Sequence, residues 1–325
     1  MKPKMIKKIV LILLFFLLSG FVHAGGSEEN KVQQLTIYGI KGASGLGMIR
    51  LFEEPPRLRS FEVKVEALAH VDLMTARFIS GEAKVGILPP NVAAKIRSSG
   101  RDIRAAALIG AGMLALLSSD PNLRSFEGLR GKTVEVAGQG ATPDYVFRRL
   151  LSRRGLVPDR DVKLGYSLAY PEIAQSLIAG RISIALLPEP FASMARMGNP
   201  SLRSVADIQD EWIKAGGAGN YPMTLLVVDG AFADSNAASL EQICSAAKNS
   251  IEWVRAHPSD AGLLAEKHEL GLKAAVAAEA IPKSNYEYVP AALGRASLES
   301  LFGLFLEYSP VSIGGALPDD GFYLK

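Results

Sequence analysis

A strand–turn–helix unit occurs twice in this chain, and this repeat constrains the fold more than any other feature. Residues 35–39 form an apolar run that leads into Lys41-Gly42-Ala43-Ser44. At an offset of 98 residues, the run 133–137 leads into Gln139-Gly140-Ala141-Thr142. Each copy predicts a buried strand, a turn of glycine, alanine and a hydroxyl residue, and then a helix. We expect the two helices at 46–52 and 144–153.

A second recurrence supports the same interpretation. Residues 78–81 and 85–89 match residues 177–180 and 184–188 at an offset of 99 residues. In both copies a predicted helix ends at glycine, and a buried strand that ends at proline follows it. The pattern predicts an α/β protein with two lobes of the same plan. Chance similarity between α/β units is the alternative.

The segments outside the repeat indicate how the lobes are joined. Residues 105–118 predict one or two buried strands, and Asp120-Pro121-Asn122 predicts a turn that opens the second copy. The last third is helical and holds no copy, so we expect it to return to the first lobe. The predicted domains, with hinges near residues 118–120 and 221–223, are 31–118 with 223–325 for lobe 1 and 119–222 for lobe 2.

The first 24 residues have the features of a secretory signal peptide. Four lysines precede an apolar run over residues 9–18, and Val22-His23-Ala24 ends in the small-residue pattern of a cleavage site. The run is too short to cross about 30 Å of hydrocarbon as an ordinary helix. We therefore expect export to the periplasm and cleavage near Ala24. An uncleaved membrane anchor is the alternative.

Composition excludes several classes of protein. A chain that is 48% hydrophobic and 21% charged is not disordered. Subtracting the four leader lysines from the net charge of +3 leaves −1, so no basic character remains for nucleic-acid binding. The single cysteine, Cys244, excludes an internal disulfide and a zinc site built from thiolates.

The candidate motifs for cofactor binding and catalysis are incomplete in this sequence. Gly138-Gln139-Gly140 begins like a dinucleotide fingerprint, but Pro143 stands where the third glycine belongs. Gly131-Lys132-Thr133 resembles the end of a phosphate loop, but Phe126 replaces its first glycine. The histidines lack metal-ligand spacing, and no serine lies in a Gly-x-Ser-x-Gly elbow. We expect a protein without enzymatic activity, cofactor or metal.

The two turns are the strongest candidates for binding a ligand. Thr142-Pro143-Asp144 predicts a helix start with Thr142 as N-cap, and Ser44 occupies the matching position in the first copy. A helix N-terminus presents unpaired N–H groups, and glycine lets a ligand approach the backbone. Facing lobes would open both turns toward one cleft. Simple capping by both hydroxyl residues is the alternative.

Polar and aromatic residues near the predicted strand ends extend the candidate site. Glu189 follows a buried strand between two prolines, and Asn91 holds the corresponding position in the first copy. Glu189 could instead cap a helix that starts near Phe191. Tyr166 and Tyr221 could stack on a flat ligand. The predicted ligand-binding residues are Lys41, Gly42, Ala43, Ser44, Asn91, Gly138, Gln139, Gly140, Ala141, Thr142, Tyr166, Pro188, Glu189 and Tyr221.

In these motifs the chain resembles the periplasmic solute-binding proteins of ABC importers. The resemblance is to the branch that binds nitrate, sulfonates, taurine and thiamine precursors. The most specific stretches are 129–133, 138–144, 156–158, 172–174, 179–180 and 188–192, with a further block at 252–258 and Ile281-Pro282. The resemblance implies the type 2 two-lobed fold, with a mixed sheet flanked by helices in each lobe and two crossover strands. It also implies a membrane permease and a cytoplasmic ATPase as partners, and we expect a monomer.

The resemblance leaves the ligand open between two kinds of small solute. Lys41 and the helix ends favour a sulfonate-like anion, whereas Glu189 and the tyrosines favour an amino-substituted heterocycle such as a thiamine precursor. A secreted enzyme that forms the thiamine pyrimidine is a rival, although relatives with that activity use a cysteine-rich motif that Cys244 alone cannot supply. An extracytoplasmic sensor module is a second rival.

Overall fold

The computed structural model describes residues 33–136 and 138–325, so the predicted signal peptide lies outside the described residues. The strands are β1 Gln33–Ile40, β2 Phe61–Leu68, β3 Val85–Leu88, β4 Ile103–Ala111, β5 Leu114–Ser118, β6 Thr133–Val136, β7 Lys163–Gly165, β8 Ile184–Pro188, β9 Arg203–Ala206, β10 Pro222–Asp229 and β11 Val289–Pro290. The helices are α1 Ala43–Leu46, α2 Arg50–Glu53, α3 Val71–Ser80, α4 Pro90–Ser98, α5 Thr142–Arg153, α6 Tyr170–Ile178, α7 Phe191–Gly198, α8 Ile208–Lys214, α9 Gly230–Ser235, α10 Ala237–Ala256, α11 Pro258–Lys267, α12 Ala274–Ala280 and α13 Arg295–Tyr308. Within these ranges, none of the helices combines the length and the apolar character that a membrane span requires.

The strands form two mixed sheets with a common core order. The first sheet runs β11-β4-β10-β3-β1-β2, and the second runs β7-β6-β8-β5-β9. The parallel pair β1 and β3 places Ile37 opposite Val85, and the parallel pair β6 and β8 places Glu135 opposite Ala185. In each sheet the next strand is antiparallel: β10 lies beside β3 in the first sheet, and β5 lies beside β8 in the second. The predicted two-lobed α/β fold with a mixed sheet in each lobe is confirmed.

The chain passes from one sheet to the other at Gly112 and Met113. The predicted lobe boundary after residue 118 therefore lies one strand too late, because β5 belongs to the second sheet. The run 105–118 is apolar on both sides of the crossing, and only Gly112, at a φ of +54°, marks the break. The backbone N–H of Gly112 donates to the Tyr221 carbonyl at 3.0 Å, which joins the two crossing segments.

The carboxyl edges of the two sheets face one another across this crossing. Since β3 and β4 are both antiparallel to β10, β4 ends at the same edge as β3 and β1. In the second sheet, Leu114 at the start of β5 lies opposite Pro188 at the end of β8. Only two residues separate Ala111 from Leu114. The turns that follow β1, β3, β6 and β8 are thereby brought to opposing edges.

The C-terminal helices cover the first sheet and also reach the second lobe. Helix α10 packs against α2 and β4, whereas α12 contacts α7 and α13 contacts α5. The helix expected at 46–52 is two short helices, α1 and α2. Glycine lowers helix stability, and a Cβ on Gly45 would lie 2.4 Å from the Ile40 carbonyl oxygen, so this turn is built for close backbone approach rather than for a long helix.

Candidate functional site

The first turn, residues 41–44, is held by backbone contacts to distant parts of the first lobe. Gly42 has a φ of +90°, which favours glycine, and its N–H donates to the Leu270 carbonyl at 2.8 Å. The hydroxyl of Tyr286 donates to the Ala43 carbonyl at 2.7 Å. The turn therefore has a fixed shape that does not depend on its own side chains.

The side chains of this turn are free for other contacts. The predicted capping role of Ser44 is wrong, because Gly42 is the N-cap of α1 and no side chain caps that helix. The Thr224 hydroxyl on β10 donates to Ser44 Oγ at 3.4 Å, which gives two hydroxyls side by side. Lys41 is exposed, and its ammonium group forms no ion pair with the residues that the structure describes.

The second turn, residues 138–142, depends on two glycines. Gly138 and Gly140 have φ values of +79° and +73°, in the left-handed region that favours glycine. The Ala141 N–H donates to the Gly138 carbonyl at 2.9 Å and closes the turn. A Cβ on Gly138 would lie 2.8 Å from the Tyr170 hydroxyl oxygen, so this position also needs glycine for space.

At the start of α5, the side chain that bonds to the backbone of the turn is Asp144 rather than Thr142. The predicted N-cap at Thr142 is wrong, because Ala141 is the N-cap and Thr142 is already helical. Asp144 Oδ2 accepts the Gly140 N–H at 2.9 Å, so this carboxylate satisfies a backbone donor of the turn that precedes the helix. The Asp144 side chain is buried, which places a carboxylate directly behind the turn.

The other oxygen of Asp144 is held by a polar network. Asp144 Oδ1 accepts the Tyr166 hydroxyl at 2.6 Å and Arg148 Nε at 2.7 Å. Arg148 also donates to Asp159 at 2.8 Å, and its guanidinium lies 5.9 Å from the Tyr166 ring centroid. Burial, followed by the Asp144 carboxylate, raises the pKa of Tyr166. The hydroxyl of Tyr166 is therefore engaged within the second lobe.

Glu189 is buried, and its carboxylate has partners on α7, the helix that follows it. The Ser193 N–H donates to Glu189 Oε2 at 2.9 Å, and Arg196 forms an ion pair with Oε1. The Glu189 N–H donates to the Met113 carbonyl at 2.8 Å, which ties this loop to the crossing. Pro190 is the N-cap of α7, but the Glu189 side chain accepts an N–H of its first turn, so it contributes to capping as considered from sequence, although it is buried rather than at the surface.

The remaining predicted residues follow the ends of parallel strands. Asn91 lies in the first turn of α4, after β3, and is partly exposed. Because β1 and β3 are parallel neighbours, Asn91 lies at the same sheet edge as the 41–44 turn. Pro188 is the buried last residue of β8, and β8 is parallel to β6. The second turn and the 188–189 loop therefore share the opposing edge.

Tyr221 is not available to stack on a ligand. Its side chain has no exposed surface, its hydroxyl accepts the Leu114 N–H at 3.0 Å, and its ring lies edge-on to Trp212. Burial raises its pKa. The predicted stacking role is wrong, because Tyr221 instead packs the crossing between the sheets.

Tyr170, which stacks on Phe191 at 5.7 Å, has its pKa raised to about 12 by burial.

Sequence reasoning missed two residues that shape the first turn. Thr224 is a hydroxyl residue within the apolar run of β10, and that polarity was the available signal. Tyr286 lies 243 residues from Ala43, and no local pattern indicates their contact.

The charges of the two turns differ. In the second lobe, Asp144 is paired with Arg148 of its own helix, and Glu189 is paired with Arg196 of the helix that follows it. In the first lobe, Lys41 has no such partner among the described residues, and the first turn of α1 holds no acid. Of these charged residues, only Lys41, on the first-lobe side, lacks an ion-pair partner among the described residues.

Two grooves flank the crossing outside these turns. One of about 470 Å³ is lined by residues 112–115, Glu189 and Arg196 from one side and by Lys283 and Asn285 from the other. A neighbouring groove of about 400 Å³ shares Asn285. Across residues 33–136 and 138–325, no cluster of three or more histidine, cysteine or acidic residues is arranged to hold a metal.

The architecture is shared with solved proteins. An ABC transporter protein from Parabacteroides distasonis is 26% identical, with a TM-score of 0.79 over 90% of this chain and 99% of that one. The periplasmic aliphatic sulphonate binding protein SsuA from Escherichia coli is 16% identical, with a TM-score of 0.71 over 90% and 92% of the two chains. The periplasmic nitrate-binding protein NrtA from Synechocystis PCC 6803 is 11% identical, with a TM-score of 0.57 over 76% and 69%. A comparison with curated protein sequences finds no match.

The two facing sheets define the class as the two-lobed periplasmic-binding-protein fold. The family model described as NMT1/THI5 like matches residues 61–261, which is more than half of the chain. This protein therefore belongs to the NMT1/THI5-like family.

Proposed function

We propose that this protein is the extracytoplasmic solute-binding component of an ABC importer, and that it captures a small anion such as a sulfonate between its two turns. The binding residues would be those of the 41–44 and 138–142 turns, with Thr224 added and Tyr221 removed from the predicted set. Asn91 and the 188–189 loop would border them at the same edges.

The observation that carries this proposal is the pairing of charges around the two edges. Asp144 and Glu189, the acids that could bind an amino group, already accept hydrogen bonds and are each paired with an arginine, Arg148 or Arg196. Lys41 is exposed, lies three residues before Ser44, and has no acidic partner among the residues that the structure describes. Buried polar groups that already have partners gain little from a new ligand. The balance supports an anion over an amino-substituted heterocycle.

The rival ligand class loses one of its two predicted stacking residues as well. Tyr221 is buried in the crossing, and the hydroxyl of Tyr166 is engaged by Asp144. The SsuA and NrtA neighbours are named for sulphonate and nitrate, both small anions. A thiamine-pyrimidine enzyme would need reactive groups, and Cys244 is the chain's single thiol.

Transport requires delivery as well as capture. We infer that the lobes close on the solute by bending at the crossings near Gly112 and Tyr221, a motion of a few residues that is common in two-domain binders. The closed form would present the solute to a membrane permease driven by an ATPase. Cleavage near Ala24 would release the protein into the periplasm.

Titration calorimetry on residues 25–325 tests the ligand class. The protein should bind ethanesulfonate or nitrate and should not bind 4-amino-5-hydroxymethyl-2-methylpyrimidine. Lys41→Gln should weaken anion binding by about tenfold or more, since it removes the unpaired cation. Lys95→Gln, an exposed lysine on α4, is the matched control and should bind as the wild type does. Binding of the pyrimidine alone would overturn the proposal.

A further inference from the structure

The second turn is backed by a cluster with net negative charge. The cluster consists of Asp144, Arg148 and Asp159, so two carboxylates share one guanidinium. Tyr166 donates a hydrogen bond to Asp144 and adds no charge. Asp144 is buried, whereas Asp159 has 55% of its side chain exposed. The charge nearest the turn is therefore the one least screened by water.

The Asp144 carboxylate also occupies the positive end of α5. Its Oδ2 accepts the Gly140 N–H at 2.9 Å, within the turn that precedes this twelve-residue helix. A helix N-terminus ordinarily favours an external anion, but here an internal carboxylate already takes that position. The second turn consequently offers a ligand neutral backbone groups with a negative charge directly behind them.

The 41–44 turn lacks this arrangement. No acid lies in the first helical turn of α1, and Lys41 and the Ser44 hydroxyl, which Thr224 contacts, belong to the 41–44 turn instead. A solute held between the two edges would therefore meet positive charge on one side and negative charge on the other. One negative charge on the solute can be directed to the first lobe, but a second would approach Asp144.

We infer that Asp144 is a specificity-determining residue that makes the cleft select monoanions over dianions. This inference rests on the proposed function. Like charges repel strongly where water is excluded, and this repulsion lowers the affinity of a dianion more than that of a monoanion.

The charge of Asp144 can be separated from its structural role. Asparagine at position 144 can still accept the Gly140 N–H through its side-chain oxygen, as an asparagine does at a helix N-terminus. Asp144→Glu keeps the charge and changes the geometry. Asp260 is a matched control, since it lies in the first turn of α11 after a proline, as Asp144 follows Pro143 in α5.

The experiment compares methanesulfonate, a monoanion, with sulfate, a dianion, by calorimetry near neutral pH on residues 25–325. The wild type should prefer methanesulfonate by about tenfold or more, since one added like charge accounts for a difference of that size. Asp144→Asn should bring the ratio of the two affinities close to one, chiefly by strengthening sulfate binding. Asp144→Glu and Asp260→Asn should both retain the wild-type preference.

Three results would overturn the inference. Wild-type protein that binds sulfate as well as methanesulfonate contradicts it, and so does an unchanged ratio in Asp144→Asn. If neither anion binds the wild type, the proposed function fails and this inference fails with it.

If Asp144→Asn does not fold, the wild type is titrated with methylphosphonate across its second ionisation. Affinity should fall as that ligand becomes a dianion, and a constant or rising affinity would contradict the inference.

Discussion

The ring of Tyr145 stacks on the ring of Tyr308, with centroids 5.3 Å apart and planes inclined by 17°. Tyr145 belongs to α5, the helix that starts at the second turn, whereas Tyr308 ends α13 on the first lobe. Phe305 meets Tyr145 edge-on at 5.0 Å, and Arg149 pairs with Glu307 at 2.9 Å. The lobes are thus in direct contact beside the cleft, and any relative motion of the lobes must keep or break this contact.

Tyr308→Ala should loosen the contact between the lobes. Aromatic pairs contribute about 0.5–1.5 kcal/mol beyond their buried area, so the free energy of unfolding should fall measurably. The distribution of distances between spin labels on the two lobes should broaden in the ligand-free protein. Glu307→Gln, which removes one half-exposed ion pair, should cost about 1 kcal/mol or less and leave the distribution narrow. Equal distributions in the Tyr308 variant and the wild type would show that this contact does not restrain the lobes.

Glu189→Gln should destabilise the fold by about 2–4 kcal/mol, because it leaves the Arg196 guanidinium without its carboxylate partner. Chemical unfolding measures the change. Glu241→Gln on the exposed face of α10 is the control and should change stability by about 0.5 kcal/mol or less. Anion binding by the folded variant should hardly change. A loss of affinity for anions but none of stability would assign Glu189 to the ligand instead of to Arg196.

Gly138→Ala should destabilise the protein by about 1–2 kcal/mol, because its φ of +79° is costly for alanine. The added Cβ would also displace the Tyr170 hydroxyl and distort the second turn. Gly303→Ala is the opposite control: Gly303 is a helical residue of α13 with open space around it, and alanine there should stabilise by about 0.5–1 kcal/mol. Thermal unfolding compares the two. A Gly138 variant as stable as wild type would argue against the described turn.

Asp161 should make stability depend on acid pH. The Arg160 guanidinium and then the Val157 N–H lower the pKa of Asp161 to about 2. Its stabilising effect is complete above the unfolded-state pKa of about 4 and is lost as pH falls through the folded-state value. The melting temperatures of wild type and Asp161→Asn should therefore differ near neutral pH and converge toward pH 2. A difference that persists unchanged in acid would contradict this assignment.

The parts of the fold that sequence predicted are those with local signals. The repeated strands and turns were recognisable because apolar runs, glycines and prolines mark their ends within a few residues. The structure shows that these repeated strands pair in the same way in each lobe, β1 with β3 and β6 with β8. The crossing at Gly112 was not recognisable, because a continuous apolar run hides a change of sheet.

Details of the site depend on contacts that are distant in sequence or on exact backbone angles. Asp144 rather than Thr142 takes the Gly140 N–H, because the left-handed Gly140 aims that group at the third helical residue. Tyr221 is buried because the crossing closes around its ring, 107 residues from its partner Leu114. Residue type alone indicated neither outcome.

The most direct measurement is the location of a bound solute that scatters X-rays anomalously. Crystals of residues 25–325 grown with 2-bromoethanesulfonate should show the bromine between the 41–44 and 138–142 turns, with the sulfonate toward Lys41. A bromine peak confined to the groove at Gly112 and Lys283, or the sulfonate turned toward Asp144, would contradict the account.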